Sequence, residues 1–311
     1  MSIIKVGVVG VGHMGREHAR VYAGLPEAEL VGVYDIDREV AKRVALQHGC
    51  EPFASLEEAV EKADAVSIAT PTDSHYDIAL AFLRRRKHVL VEKPMASHAD
   101  QAVAMVRAAE ESGSVLQVGH IERFNPVLKA LEERLTRPRF IEAHRLSPYP
   151  HRSTEIGVVM DLMIHDLEII LHLVRAPIVS VDAVGVSVLS KTEDIANARI
   201  RFEDGCIANI TTSRISPEKM RKIRVFQDDA YLSLDYQNQQ GEIFRKEGGR
   251  ITRDAIPVMR EEPLKAELAS FLSCIATRSS PVVSGAHASQ ALRLATQISE
   301  QIRSGGLVGV P

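Results

Sequence analysis

The chain has 311 residues, 45% of them hydrophobic, and a formal net charge of −3. That is enough apolar material for one large core or two, and the charge balance gives neither nucleic acid nor a membrane surface a reason to be the partner. Tryptophan is absent and aromatic residues make up 5%, which argues against a base-stacking platform. Cys50, Cys206 and Cys274 are odd in number and far apart, as expected of reduced thiols and not of a disulfide framework. No apolar run approaches ~20 residues, and the chain opens directly on a strand pattern with no room for a leader. A cytoplasmic protein is expected.

Ile3, Ile4, Val6, Val8 and Val9 form an apolar run broken only by Lys5 and Gly7, the pattern of a strand buried on both faces. Gly10-Val11-Gly12-His13-Met14-Gly15 follows at once. This is the G-x-G-x-x-G turn of a dinucleotide-binding βαβ unit. Gly10 permits the tight turn, Gly12 lets a pyrophosphate approach the backbone, and Gly15 lets helix and strand pack closely. The helix behind it offers free N–H groups to the phosphates. A second run, Leu30 to Tyr34, ends in Asp35, 20 residues past Gly15. An acid there accepts hydrogen bonds from the adenosine ribose and favours NAD over NADP. Ile36 completes that edge, and Arg38 lies close enough to meet a 2′-phosphate, which keeps NADP open.

Helices are expected over 16–24 and 38–48, and Ser55 caps a third. Residues 65–69 read as a buried strand that must turn at Thr70-Pro71, since proline cannot continue a central strand. In an open parallel sheet that turn lies over the cofactor, which makes Ala69, Thr70, Pro71 and His75 candidate contacts. A helix over 75–86 ends in Arg84-Arg85-Arg86-Lys87-His88, read as a solvated helix end in preference to a phosphate patch. A strand over 88–91 leads into Glu92-Lys93-Pro94. Lys93 there is either a group that polarises a substrate oxygen or an exposed lysine before a turn. A helix over 98–112 and a strand over 115–119 complete a doubly wound parallel sheet, assigned to residues 1–122.

Residues 123–311 read differently. Strand patterns lie at 140–146, 179–189, 196–202, 206–213, 222–227 and 230–236, and several in succession have no intervening helix, the mark of an antiparallel sheet. Glu203-Asp204-Gly205 and Gly248-Gly249 are hairpin signals. Helices over 264–278 and 286–303 close the chain. Where the first of these strands gives way to an irregular stretch, Arg145 and Arg152 either grip a diphosphate through forked hydrogen bonds or belong to a solvated turn held by two prolines. Asp161 and His165 stand four apart on one helical face. A carboxylate one turn away orients an imidazole and favours its protonated form, the makings of a general acid/base; the plainer alternative is a structural histidine. A metal reading of Asp161, His165, Asp166 and Glu168 lacks a second histidine at ligand spacing.

Four stretches together resemble the Gfo/Idh/MocA family of NAD(P)-dependent sugar oxidoreductases: the turn at 10–15, Ala69-Thr70-Pro71 with His75, Val91-Glu92-Lys93-Pro94, and Val118-Gly119-His120 with Arg123-Phe124-Asn125-Pro126. The resemblance implies that Lys93 binds and polarises the substrate and that Glu92 belongs to the cofactor loop. It also implies that Asp161 and His165 form the pair presenting the catalytic histidine, and that Arg123 and Asn125 shape the pocket. It implies, further, an open, mainly antiparallel second domain whose sheet covers the nicotinamide and builds homodimers or homotetramers. Val158, Val159 and Met163 depart from the family's common glycines. Asp-Leu-Met-Ile-His-Asp, with Gly-His-Ile-Glu-Arg-Phe-Asn-Pro, is most similar to the branch that oxidises the 3-position of UDP-N-acetylglucosamine. The expected activity is therefore oxidation of a sugar hydroxyl to a ketone, with a free sugar or cyclic polyol of the inositol or glucose type as the alternative substrate. A reading from another class is a non-catalytic NAD(P)-binding sensor or co-regulator, which has no need of Lys93, Asp161 and His165.

Overall fold

The structure, a computed structural model, describes residues 3–149, 155–305 and 308–309. The chain divides into two compact units, Met1–Ile121 with Glu262–Ser289 and Glu122–Glu261 with Gln290–Pro311.

In the first unit strands and helices alternate: β1 (Ile4–Val9), α1 (His13–Gly24), β2 (Ala28–Tyr34), α2 (Arg38–His48), β3 (Glu51–Pro52), α3 (Leu56–Lys62), β4 (Ala65–Ile68), α4 (Thr72–Leu83), β5 (His88–Glu92), α5 (Ala99–Ser112) and β6 (Leu116–Gly119). The strands pair in parallel in the order β3-β2-β1-β4-β5-β6. This is the doubly wound order that binds dinucleotides beyond the carboxyl ends of its strands. Val6, Val8 and Val9 are wholly buried, as a strand covered on both faces requires. Local chemistry sets the helix ends. Asp37 accepts the N–H groups of Glu39 and Val40 at the start of α2, and Gly49 ends it at φ +67°. Ser55 accepts the Glu58 N–H at the start of α3. Helix α4 begins at Thr72, earlier than expected, because Pro71 stands at its N-cap, where its fixed φ suits a helix start.

A 3-10 turn at Ile121–Phe124 leads into the second unit. There α6 (Pro126–Glu132), β7 (Phe140–Leu146), α7 (Ile164–Val174) and β8 (Ile178–Ser187) are followed by β9 (Ile195–Phe202), β10 (Ile207–Ser213), β11 (Met220–Phe226), β12 (Ala230–Asp235), β13 (Gln240–Glu247) and β14 (Arg250–Ile256). The chain then forms α8 (Pro263–Thr277), α9 (Gly285–Ser304) and β15 (Val308–Gly309). The second sheet runs β14-β13-β12-β11-β7-β10-β9-β8-β15. It is antiparallel except where β7 meets β10 and β8 meets β15. Alternation is clean: in β9, Ala196, Ala198, Ile200 and Phe202 are buried while Asn197, Arg199 and Arg201 are exposed, so one face packs and the other stays open. The turn at 203–205 is the expected hairpin, with Gly205 at φ +87°.

One assignment differs from the sequence reading. Residues 262–289 fall within the second domain as read from the sequence, yet they pack with the first unit. Leu264, Leu268, Phe271 and Leu272 of α8 join one hydrophobic cluster with Ile4, Val6 and Val8 of β1 and Tyr22 of α1.

Candidate active site

Each glycine of the first turn has a separate reason. A Cβ on Gly15 would lie 1.8 Å from the carbonyl oxygen of Gly10, and one on Gly10, at φ +82°, would lie 2.8 Å from the backbone of Ala69. A Cβ on Gly12 meets no described atom within 4 Å. The backbone there opens outward, above a helix start that has no side-chain cap among the described residues. Open space over uncapped N–H groups at a helix N-terminus is a phosphate cradle. His13 is exposed beside it and Met14 half-buried. Asp35 closes one edge: its Oδ2 accepts the Val11 N–H at 2.8 Å and its Oδ1 the Asp37 N–H at 2.9 Å. Each oxygen keeps a lone pair for a ribose hydroxyl, while its charge disfavours a 2′-phosphate. Ile36 is 93% exposed. Arg38 is exposed at the first position of α2.

The turn after β4 places Ala69 and Thr70 half-buried and Pro71 exposed. His75 corrects an expectation. It is buried, with Nδ1 2.9 Å from the Pro94 carbonyl oxygen and Nε2 2.8 Å from that of Thr70. The ring faces inward, between the 70–71 turn and the 92–94 loop. Burial holds its pKa below the ordinary histidine value, against the pull of both carbonyls. Glu92 is likewise an inward group: its Oε1 lies 3.1 Å from His18 Nε2. Burial opposes its ionisation, but the hydrogen bond and charge of His18, with the charge of Lys93, outweigh it and keep the carboxyl below its usual range. Lys93 is half-buried and its peptide bond to Pro94 is cis.

In the second unit His165 is the second residue of α7, and Asp161 lies in a π-helical turn, Val159–Met163, directly before it. Both are half-buried. The expected unbroken α-helix is absent because the start of this segment is held from outside. Val158 N–H donates to the Glu193 carbonyl at 3.1 Å and Val159 N–H to Glu193 Oε1 at 3.3 Å. A Cβ at Gly157 would lie 1.9 Å from that same oxygen. Arg214, buried, donates to the Ile156 carbonyl at 2.6 Å and to Asp194 at 2.8 Å. Single π turns of this kind occur frequently at functional sites.

Behind His165 stands a buried ion network that the sequence reading assigned otherwise. Arg145 donates to both oxygens of Asp166, at 2.8 and 3.0 Å, and to Glu122 at 3.0 Å. Arg221 adds a second contact to Glu122 at 3.1 Å. The Arg145 fork is therefore committed inside the protein and does not reach a diphosphate. Burial opposes the charge on Glu122, and the neighbouring Arg145 and Arg221 lower its pKa in spite of it. Arg152 lies outside the described residues. Arg123 and Asn125 are also internal. Arg123 Nε is 3.6 Å from Glu168, and Asn125 caps α6 through the Val127 N–H while donating to the Tyr236 carbonyl at 3.0 Å. Both are buried and brace the unit from inside. Sequence reasoning missed Glu122, Glu193 and Arg214 as partners; Asp166, beside His165, was the one legible pointer. Among the described residues no group of three or more His, Cys, Asp or Glu is placed to hold a metal ion.

Residues 4–120 match an oxidoreductase family with an NAD-binding Rossmann fold, and residues 130–233 match the GFO/IDH/MocA C-terminal domain. The chain belongs to the Gfo/Idh/MocA family. UDP-N-acetylglucosamine 3-dehydrogenase of Acidithiobacillus ferrooxidans is 37% identical over 96% of this chain and 97% of its own. The solved structure of that organism's enzyme GnnA superposes with a TM-score of 0.93 at 36% identity, covering 98% of this chain and 99% of the other. The scyllo-inositol 2-dehydrogenase (NAD+) of Bacillus subtilis is 26% identical over 97% of this chain and 95% of its own. This Gfo/Idh/MocA chain is an NAD-dependent oxidoreductase. The cradle over Gly12 and the lone pairs of Asp35 fit NAD, which supplies the hydride acceptor when bound.

Proposed function

We propose that this protein oxidises a hydroxyl of a UDP-activated amino sugar to a ketone, with the 3-position of UDP-N-acetylglucosamine as the reacting carbon. The observation that carries the reading is near full-length similarity to an enzyme of that name, joined to the retention of Lys93, Asp161 and His165. In this reading the first unit holds NAD and the second the sugar. His165, oriented by Asp161, takes the hydroxyl proton as the hydride leaves the same carbon. Lys93 offsets negative charge developing on that oxygen. The inositol dehydrogenase relative favours a second reading, in which the substrate is a free cyclic polyol.

We also propose a homodimer or homotetramer built on the open sheet face. An aromatic ladder crosses four strands there: Phe140 to Phe226 at 5.5 Å between ring centroids, Phe226 to Tyr231 at 5.1 Å, and Tyr231 to Phe244 at 4.2 Å. Val184 and Ile251 stand exposed on the same face. Among the described residues no helix is long and apolar enough to cross a membrane, and the three free cysteines suit the reducing cytoplasm.

The test is the absorbance of reduced nicotinamide with purified protein, NAD and a panel of UDP-N-acetylglucosamine, UDP-glucose, myo-inositol and glucose, with a ketone trap. Turnover with the UDP-amino sugar is expected. His165→Ala and Lys93→Ala should each lower kcat by about 10²–10⁴-fold with NAD affinity nearly unchanged. Turnover confined to free polyols would replace the substrate. Silence across the panel, with NAD bound, would sink the enzyme reading in favour of a sensor.

A further inference from the structure

The opposite end of the parallel sheet carries a cavity that the dehydrogenase reading does not use. Nicotinamide cofactors bind past the carboxyl ends of the strands, whereas this cavity sits where β5 and β6 begin. It measures about 670 Å³ and is lined by Arg86, His88, Ser114, Arg278, Ser280 and Ser284, with Glu110 as its single acid among the described residues. Val106, Leu116 and Ile275 give it an apolar strip.

Its two arginines share an unusual backbone conformation. Arg86 has φ +58° and Arg278 φ +55°, each just past the end of a helix, where glycine is the residue that fits without strain. Neither guanidinium makes an ion pair or hydrogen bond with a described residue. Arg175 takes the same left-handed conformation after α7, but its Nε donates to the His172 carbonyl of its own helix at 3.0 Å. His88 accepts the Val115 N–H at Nδ1, 2.9 Å away, so its neutral ring carries a proton at Nε2 and is a donor. Burial holds it toward that neutral form. Ser284 caps α9 through the His287 N–H at 3.2 Å, and the positive end of that helix dipole lies at the wall.

We infer that this cavity binds a phosphorylated small molecule, with the phosphate between Arg86 and Arg278 and the organic body on Val106, Leu116 and Ile275. Two guanidiniums against one carboxylate leave a net positive wall, and the forked geometry of arginine matches phosphate oxygens. The volume falls in the range of small-molecule sites and far exceeds a bare phosphate.

The test follows thermal unfolding of the full-length protein saturated with NAD, so that the turn at 10–15 is occupied. Inorganic phosphate and glycerol 3-phosphate are titrated separately, with ionic strength held by chloride. The wild type is expected to gain a saturating rise in Tm, at lower concentration for glycerol 3-phosphate. Arg86→Gly with Arg278→Gly should fold at least as well in chloride, because glycine suits both backbones, and should lose the phosphate response while keeping NAD affinity. The single variant Arg278→Gln, whose shorter side chain stays polar without the charge, should lose most of it. No rise in the wild type, or the same rise in all three proteins, overturns the site. An equal response to both phosphates overturns the role of the apolar strip.

Discussion

A motif gives the place of a residue in the chain and says nothing of where its side chain turns. The glycines at 10, 12 and 15 were readable because their spacing is local, and the structure separates their roles, with Gly10 also packed against the 69–70 turn. Gly15→Ala would drive a Cβ to 1.8 Å from the Gly10 carbonyl, whereas Gly12→Ala meets no described atom within 4 Å. Gly15→Ala is therefore expected to lower Tm by several degrees before any cofactor is added, on the scale of about 1–3 kcal/mol for an overpacked site. Gly12→Ala should unfold near the wild-type temperature and bind NAD roughly tenfold or more weakly, a loss of about 1.4 kcal/mol. Calorimetric titration of NAD beside thermal unfolding separates the two. Weak NAD binding with normal stability in both variants would contradict this division of labour. His75 and Glu92 mark the limit of motif reading. Both sit in conspicuous motifs, yet their side chains turn inward to Thr70, Pro94 and His18, partners that no local spacing reveals.

At the scale of elements, the helix bearing His165 is set by residues distant in sequence. Arg145 reaches Asp166 across 21 residues and Glu122 across 23, and Glu193 lies 34 residues from the Val159 N–H it accepts. The Asp161 and His165 spacing was legible because it is local; the π turn and the clamp behind it were not, because long-range partners impose them. Arg145→Met keeps the bulk and removes the charge, leaving Asp166 and Glu122 buried with Arg221 as the remaining cation on Glu122. Breaking a buried pair from one side costs about 3–5 kcal/mol, and a loss of that size at pH 7 is expected in urea unfolding. The pH dependence has a definite sign. The Glu122 carboxyl is depressed in the fold, so its stabilisation is present above the unfolded value of ~4.3 and fades as pH falls through the folded one. The gap between wild type and Arg145→Met should therefore narrow below about pH 4. A gap constant from pH 7 to pH 3 would show that packing, not charge, is what Arg145 contributes.

For the molecule as a whole, the two sheets were readable from period and turn signals, but the allegiance of the last helices was not. A leucine and phenylalanine stripe declares that α8 packs on something without naming the partner, and reading domains as contiguous stretches sent it to the wrong one. Leu264, Leu268, Phe271 and Leu272 are each at most 5% exposed against the first unit, and burying four such side chains is worth on the order of 6–12 kcal/mol. That is comparable to the entire stability of a domain, about 5–15 kcal/mol. The same return covers β6 at the sheet edge: Val118 N–H donates to the Val283 carbonyl at 3.1 Å, and Gln117 pairs with Ser284. Residues 1–122 alone would expose both the apolar face and an open strand edge, the two features that drive aggregation. That fragment is expected to precipitate or to unfold without cooperativity. The same residues joined through a flexible glycine-serine linker to 262–289 should unfold cooperatively and bind NAD. A monomeric 1–122 fragment with a sharp thermal transition and NAD affinity of its own would mean that α8 is an accessory to the first unit and not part of its core.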